Sequence, residues 1–355
     1  MTDVLIVGQG LAGTWLSWWL HRAGVSFHLI DKPERGGASI RAAGLVNPVT
    51  GRRMVTTWMI DELLPFTFDS YGELGLFLGD SFIEEVSLVD FFPSVQMLQA
   101  FQKRMDEDKT YLYPGEEREK YSAWFRYDLG WGAIKPCALI NVEKLLSQWR
   151  MWLKKRQLLT ESVFEMAGLH TKDSDAEYSG FRYRFVIFCD GESSAENPFF
   201  NKLPFALNKG EGLLVAIDGL PGGLIFKKGM SLVPFGENIY WLGSSYEWTF
   251  DDHAPSPNFR KMAEAWLNLH LKLPFTILEH FAAIRPATLE RRPFVGFHPR
   301  YPQIGILNGL GTKGCSLAPY FAKQLVSRLT GTGNIDPLAD IHRFEKIMGR
   351  NDLDF

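Results

Sequence analysis

The run Val4-Leu5-Ile6-Val7-Gly8-Gln9-Gly10-Leu11-Ala12-Gly13 decides the fold, because it carries an apolar strand through a glycine turn into a helical pattern that continues from Thr14 to about Ala23. Each glycine has its own task. Gly8 permits the tight turn out of the strand, Gly10 lets the backbone approach a pyrophosphate, and Gly13 lets the helix close on the sheet. Leu11 and Ala12 stand in the turn just before the helix, whose positive end faces the phosphates. A second apolar strand, Ser26 to Ile30, ends in Asp31, about twenty residues on, where an acid accepts a hydrogen bond from a ribose hydroxyl; Lys32 follows at the same contact. An acid here disfavours a 2′-phosphate. Strand, turn, helix, strand and acid together predict a βαβ unit that holds a dinucleotide, and leave open which one.

The next segment decides between them. Gly36-Gly37-Ala38-Ser39-Ile40-Arg41-Ala42-Ala43-Gly44 is too rich in small residues for a helix core, and it offers Ala38, Ser39, Ala42, Ala43 and Gly44 as a floor for an extended cofactor. With this run the chain resembles the D-amino acid oxidase/glycine oxidase family of FAD enzymes, whose second motif is a Gly-Gly-Ala-Ser run followed by small residues and a glycine. The resemblance implies FAD, bound non-covalently, and an α/β fold: a Rossmann-like FAD-binding domain with an inserted antiparallel-sheet α+β substrate domain.

Later segments extend this reading. A turn-rich loop holding Arg52 and Arg53 leads into a helical pattern from about Trp58 to Leu78. The two arginines are open between solvated loop charges and contacts to an anionic group. Gly130-Trp131-Gly132-Ala133-Ile134-Lys135-Pro136 reads as a turn into a helix from Ile140 to about Lys154, followed by a strand around Leu158 to Phe164. The resemblance implies that the backbone of Val163 in that strand meets the adenine. A hairpin with Lys172-Asp173-Ser174-Asp175 as turn chemistry precedes an apolar strand, Tyr183 to Cys189, that stops at Asp190-Gly191. Gly191 allows close backbone approach to the dinucleotide, and Asp190 is open between phosphate and solvent.

From about Leu203 to Leu273 four strand-like pieces alternate with glycine turns, and a helix from about Pro257 to Leu271 closes the segment. This meander is expected to roof the substrate pocket. The expected division is 1–81, 132–200 and 278–335 for the FAD-binding domain, 82–131 and 201–277 for the substrate domain, and 336–355 as a tail.

Composition excludes several classes. Of 355 residues, 46% are apolar and 22% charged, as in a globular protein, and a formal net charge of −3 provides no overall basic field for nucleic acid. No apolar run reaches the roughly 18 residues that span a bilayer, and the N-terminus shows no charged leader. Cys137, Cys189 and Cys315 are odd in number and form no CxxC, so neither a disulfide framework nor a metal site is suggested, and a cytoplasmic setting fits.

Two stretches near the end carry the chemistry. In Ala282-Ala283-Ile284-Arg285-Pro286-Ala287-Thr288, the planar fork of Arg285 suits a substrate carboxylate, or else an internal acid. In Ile304-Gly305-Ile306-Leu307-Asn308-Gly309-Leu310-Gly311-Thr312-Lys313-Gly314-Cys315, a strand again meets a glycine loop and a helix N-terminus. Those amides suit the flavin edge where negative charge appears on reduction, and Lys313 would add to them or reach a carboxylate. The stretch from Gly309 to Pro319 most resembles the FAD half of the bifunctional enzyme that modifies wobble uridine in tRNA. Glycine oxidase has a second carboxylate-binding arginine where this chain has Thr312. Tyr246, at a strand end, is open between the pocket and solvent, and Cys315 is expected as a packed thiol.

The resemblance implies oxidation of a primary or secondary amine, an amino acid or N-substituted one, by hydride transfer to flavin N5. Imine hydrolysis and reoxidation by oxygen or another acceptor would follow. A tRNA wobble-uridine demodification and a non-catalytic flavoprotein are the alternatives.

Overall fold

The computed structural model describes residues 2–34, 36–172 and 174–349, so Asp173 of the hairpin turn and residues 350–355 of the expected tail lie outside it. Five parallel strands build the first sheet, in the spatial order Leu159–Glu161, Phe27–Asp31, Thr2–Val7, Phe181–Phe188 and Ile304–Asn308. Phe294–Phe297 adds an antiparallel edge, and a hairpin of Leu169–Thr171 and Ala176–Tyr178 pairs with the start of Phe181–Phe188. The parallel strands are apolar almost without interruption because both faces are covered. The helices Leu11–Arg22, Val142–Lys155 and Gly314–Thr330 pack on the face of Val4 and Ile6, while Phe199, Phe200, Leu203, Ile341 and Met348 cover that of Leu5 and Val7. Val4, Leu5 and Ile6 are wholly buried.

Three helices beside this sheet are fastened to one another by tryptophan N–H groups. Trp149 of Val142–Lys155 donates to Ser17 Oγ of Leu11–Arg22 at 2.8 Å. Trp19 of the same Leu11–Arg22 helix donates to the Pro319 carbonyl of Gly314–Thr330 at 2.9 Å. A buried indole N–H gains from such an acceptor, so these pairs orient the helices about their axes as well as holding them in contact.

The second sheet runs Thr276–Arg285, Asn208–Ala216, Ile239–Gly243, Met230–Gly236, Leu224–Lys228, Ile83–Phe91, Trp131–Ile140 and Leu45–Val46, with Leu112–Pro114 beside Trp131–Ile140. Only Leu224–Lys228 against Ile83–Phe91 is parallel among these pairings. The helix Pro257–His270 starts at Ser256, whose hydroxyl accepts from Phe259 N at 3.2 Å. It buries Phe259, Ala263 and Leu267, one stripe at four-residue spacing, against the sheet.

The division of the chain differs from expectation at three places. Trp131–Ile140 is a ten-residue strand of the second sheet, where a turn within the first domain was expected. Pro136 falls where the register with Ile83–Phe91 shifts, between the pairs Cys137↔Val86 and Ile134↔Leu88, so the irregularity accommodates a residue with no N–H to give. Thr276–Arg285 also belongs to the second sheet, although 278 onward was expected with the first. The segment after residue 335 is more than a tail: Val295 N donates to Ala339 O at 3.0 Å, and Ile341 and Met348 are buried against the first sheet. Its helical pieces are too short to show a periodicity.

No helix among the described residues is long and apolar enough to cross a membrane.

Candidate active site

Between the two sheets lies a cavity of about 550 Å³ whose wall begins at the first glycine turn. Gly8 has φ +99°, and a Cβ there would stand 2.6 Å from the Cys189 carbonyl oxygen; a Cβ on Gly13 would run into the Gly8 carbonyl. Only glycine therefore closes strand, turn and helix this tightly. Leu11 N donates to Ser39 Oγ at 3.1 Å, which sets the second glycine-rich motif directly on the helix N-terminus. Gly10, Leu11, Ala12, Ala38, Ser39, Ala42, Ala43 and Gly44 all face the cavity.

At Asp31 the structure adds a residue that sequence reasoning missed. Asp31 Oδ1 accepts from Gln9 N at 3.1 Å and Oδ2 from Arg150 at 2.6 Å. Arg150 is only 4% exposed, and it also donates to Gln9 Oε1 at 2.7 Å, Lys32 O at 3.0 Å and Glu161 Oε1 at 3.0 Å. The guanidinium thus orients the acid while leaving lone pairs for a ligand. Its one signal in the sequence is a helical spacing with Leu146 and Leu153, which are also buried; a basic residue on that stripe reads as a solvated one.

Asp190 turns inward, to the Ser194 hydroxyl, and burial raises its carboxyl to about 6. Asn308 ties this corner together, donating to Gly191 O at 2.8 Å and Ser194 Oγ at 2.7 Å.

Arg285, at the end of its strand, donates to Asn208 Oδ1 at 2.7 Å and Ser245 O at 3.2 Å. Burial lowers its pKa, and among the described residues no carboxylate lies at ion-pair distance, so its partners are neutral. The guanidinium lies over Gly210, where a Cβ would overlap it. Lys313 stands at the N-terminus of the Gly314–Thr330 helix and donates to Thr57 Oγ1 at 3.1 Å. Burial, then the charges of Arg291 and Arg292, push its ammonium down to about 8. Gly311, Thr312, Lys313 and Gly314 share the wall with Arg285 and Asp31.

Four expected site residues stay off that wall. Gly13 and Gly309 act behind it, the latter packed on Thr288 and Phe294. Val163 falls beyond the short Leu159–Glu161 strand and is 61% exposed. Tyr246 is exposed because its strand ends at Gly243; its ring lies 5.5 Å from the Arg285 guanidinium carbon. Arg52 and Arg53 are exposed loop charges. Burial pushes the Cys315 thiol up to about 12, so it is held as the unreactive thiol.

The glycine cradle that no Cβ can enter, the oriented acid and two helix N-termini at one cavity fit a long dinucleotide better than a mononucleotide. The comparisons agree. A family model described as FAD dependent oxidoreductase matches residues 3–328. The fold is similar to crystal structures of glycine oxidase from Bacillus cereus, with TM-score 0.80 and 16% identity over 100% of both chains. It is similar also to iminodiacetate oxidase from Chelativorans sp., with TM-score 0.75 and 20% identity over 95% of this chain and 97% of that one. L-amino acid deaminase from Proteus vulgaris gives TM-score 0.76 and 16% identity over 97% and 94%. At these identities the likeness is one of fold, and the family match runs through both glycine motifs and Arg285: the chain belongs to the FAD-dependent oxidoreductase family.

Proposed function

We propose that the protein oxidises an amine that carries a carboxylate, a primary or secondary amino acid, at the carbon next to nitrogen. One observation carries the reading: Arg285 is half-buried on the wall of the cofactor cavity and has only neutral partners among the described residues, so its charge is available to a ligand. A planar fork held by Asn208 and Ser245 presents its remaining N–H groups in a fixed direction, which suits a carboxylate held by two hydrogen bonds. The similar structures named above act, by their names, on glycine, iminodiacetate and amino acids.

FAD, when bound, supplies the two-electron acceptor, and oxygen is the proposed final oxidant, yielding hydrogen peroxide. The residues do the rest. Gly8, Gly10, Leu11 and Ser39 hold the pyrophosphate and Asp31 a ribose hydroxyl, while Gly311 to Gly314 and the charge of Lys313 serve the flavin edge. Arg285 fixes the substrate so that its α-hydrogen is presented to the cofactor, a positioning effect. No side-chain base is required, since a neutral amine loses that hydrogen with its bonding electrons and the imine then takes up water. The three unpaired buried thiols suit a reducing compartment.

The test is the visible spectrum of the FAD-loaded protein under anaerobic conditions, with glycine, sarcosine, proline and D- and L-amino acids added in turn. Bleaching by a carboxylated amine, and much weaker bleaching by the same amine without the carboxylate, is expected. A flavin that no amine bleaches would overturn the reading and shift weight to a tRNA substrate or a non-catalytic role.

A further inference from the structure

One rung of the second sheet crosses Asp90, Lys227, Ser231, Gly243, Gly212 and Phe281, each directly opposite the next. Opposed residues share a face, and Lys227, Ser231, Gly243 and Phe281 all line the cavity. The next rung on that face carries Gly210, over which the Arg285 guanidinium lies. Arg285 and Lys227 therefore stand on one surface, on opposite flanks of a glycine floor edged by the rings of Trp241 and Phe281.

The Lys227 ammonium is unusual in its surroundings. It donates one hydrogen bond to Asp90 Oδ2 at 2.7 Å, and the two side chains are 16% and 0% exposed. Two further N–H bonds remain on a largely desolvated cation, and Asp90 Oδ1 has no partner among the described residues. Burial pushes the Asp90 carboxyl up, against the opposing pull of the Lys227 charge and hydrogen bond. Stability does not call for such a pair, since a buried ion pair contributes no more than well-packed apolar residues of the same volume. Its place on the wall of a ligand chamber does have a use.

We infer that Lys227, positioned by Asp90, binds a second acidic group of the substrate, so that the substrate is an amine with two acidic groups, one held by Arg285 and one across the chamber. This rests on the amine-oxidising reading above. The strands under Lys227 and Gly210 are three steps apart, about 14 Å at the backbone. The two acidic groups are accordingly separated by several bonds, and glycine or sarcosine leaves the lysine unused. Lys227 is a specificity-determining residue in this account, and Asp90 a positioning residue.

The experiment compares kcat/KM of the FAD-loaded protein for α-amino monocarboxylic acids and for dicarboxylic amines of matched, increasing chain length. Dicarboxylic substrates are expected to be preferred by tenfold or more at the longer lengths. Lys227→Met should cut kcat/KM at least tenfold more for the dicarboxylic member of each pair than for its monocarboxylic partner, and Lys227→Arg should keep the preference. Because Lys227→Met strands a buried carboxylate, the double variant Asp90→Asn/Lys227→Met guards against a mere folding defect and should show the same differential loss. Equal losses on both substrates, or no preference in the unaltered protein, would overturn the inference while leaving amine oxidation standing. If no amine bleaches the flavin, the functional reading fails instead. Lys227 is then read by the flavin difference spectrum with unreactive dicarboxylates, where an equal response in the unaltered protein and Lys227→Met would overturn it.

Discussion

Gly210 lies directly beneath the guanidinium of Arg285, so that a methyl group at position 210 would overlap Nη1, Cζ and Nη2. The glycine is what lets an arginine lie flat on the sheet while Asn208, two residues earlier on the same strand, holds it. Gly210→Ala should therefore move the guanidinium without touching its charge. A rise in KM of tenfold or more with FAD still bound is the expected result, and unchanged steady-state kinetics would remove Arg285 from the substrate.

Arg285→Met removes the charge itself. Hydrogen bonds to a charged group contribute about 1.5–3 kcal/mol, so kcat/KM should fall roughly 10- to 150-fold. The loss should vanish for an amine without a carboxylate, measured by the rate of anaerobic bleaching.

Arg150→Met leaves Asp31, the Gln9 side chain and the Lys32 carbonyl without their buried donor. Breaking a buried pair from one side costs about 3–5 kcal/mol, so both the melting temperature and FAD affinity should drop. Asp31→Asn should weaken FAD less. Fluorescence titration with FAD separates the two, and equal Kd values for all three proteins would mean that the corner does not meet the cofactor.

Lys313, lowered to about 8, loses its charge in an accessible pH range. If its ammonium helps to hold a ligand anion, binding is full below pH 8 and weakens up to about tenfold per unit above it. An unreactive carboxylate is the probe, because the ionisation of a substrate amine would obscure the profile. Binding that stays level to pH 9.5, or a profile that Lys313→Met leaves unaltered, would count against this role.

Asp190 is raised to about 6 in the folded protein against 3.8 unfolded. Between those values the folded state keeps a proton that the unfolded chain has lost, so this residue makes stability fall as pH rises through the window and level off above 6. Asp190→Asn should raise the stability of the ligand-free protein at pH 7 by up to about 3 kcal/mol and flatten the curve between pH 4 and 6. Denaturant unfolding at several pH values checks this.

The glycines of the first motif were legible because backbone geometry forces them. A turn with φ +99° and a carbonyl at the place of a Cβ leaves no other residue, and that demand shows in the sequence as spacing. Arg150 and Lys227 were illegible for the opposite reason. Arg150 lies in an amphipathic helix and Lys227 in a strand that ends Phe226-Lys227-Lys228, where lysines usually face water. Trp131–Ile140 was hidden by Pro136, which reads as a breaker unless the partner strand is known to shift register beside it.

By itself, then, the sequence determined the parts whose physics is local: the βαβ start, the glycine loops at two helix N-termini, the antiparallel meander and an arginine set before a proline. Tertiary structure decided which sheet receives Trp131–Ile140 and Thr276–Arg285, and which charges meet across the cavity. Strand pairing and the burial of Arg150, Asp90 and Lys227 depend on partners far away in the chain, 119 residues in one pair and 137 in the other. No window of sequence contains both members of such a pair, and only folding brings the desolvated charges together.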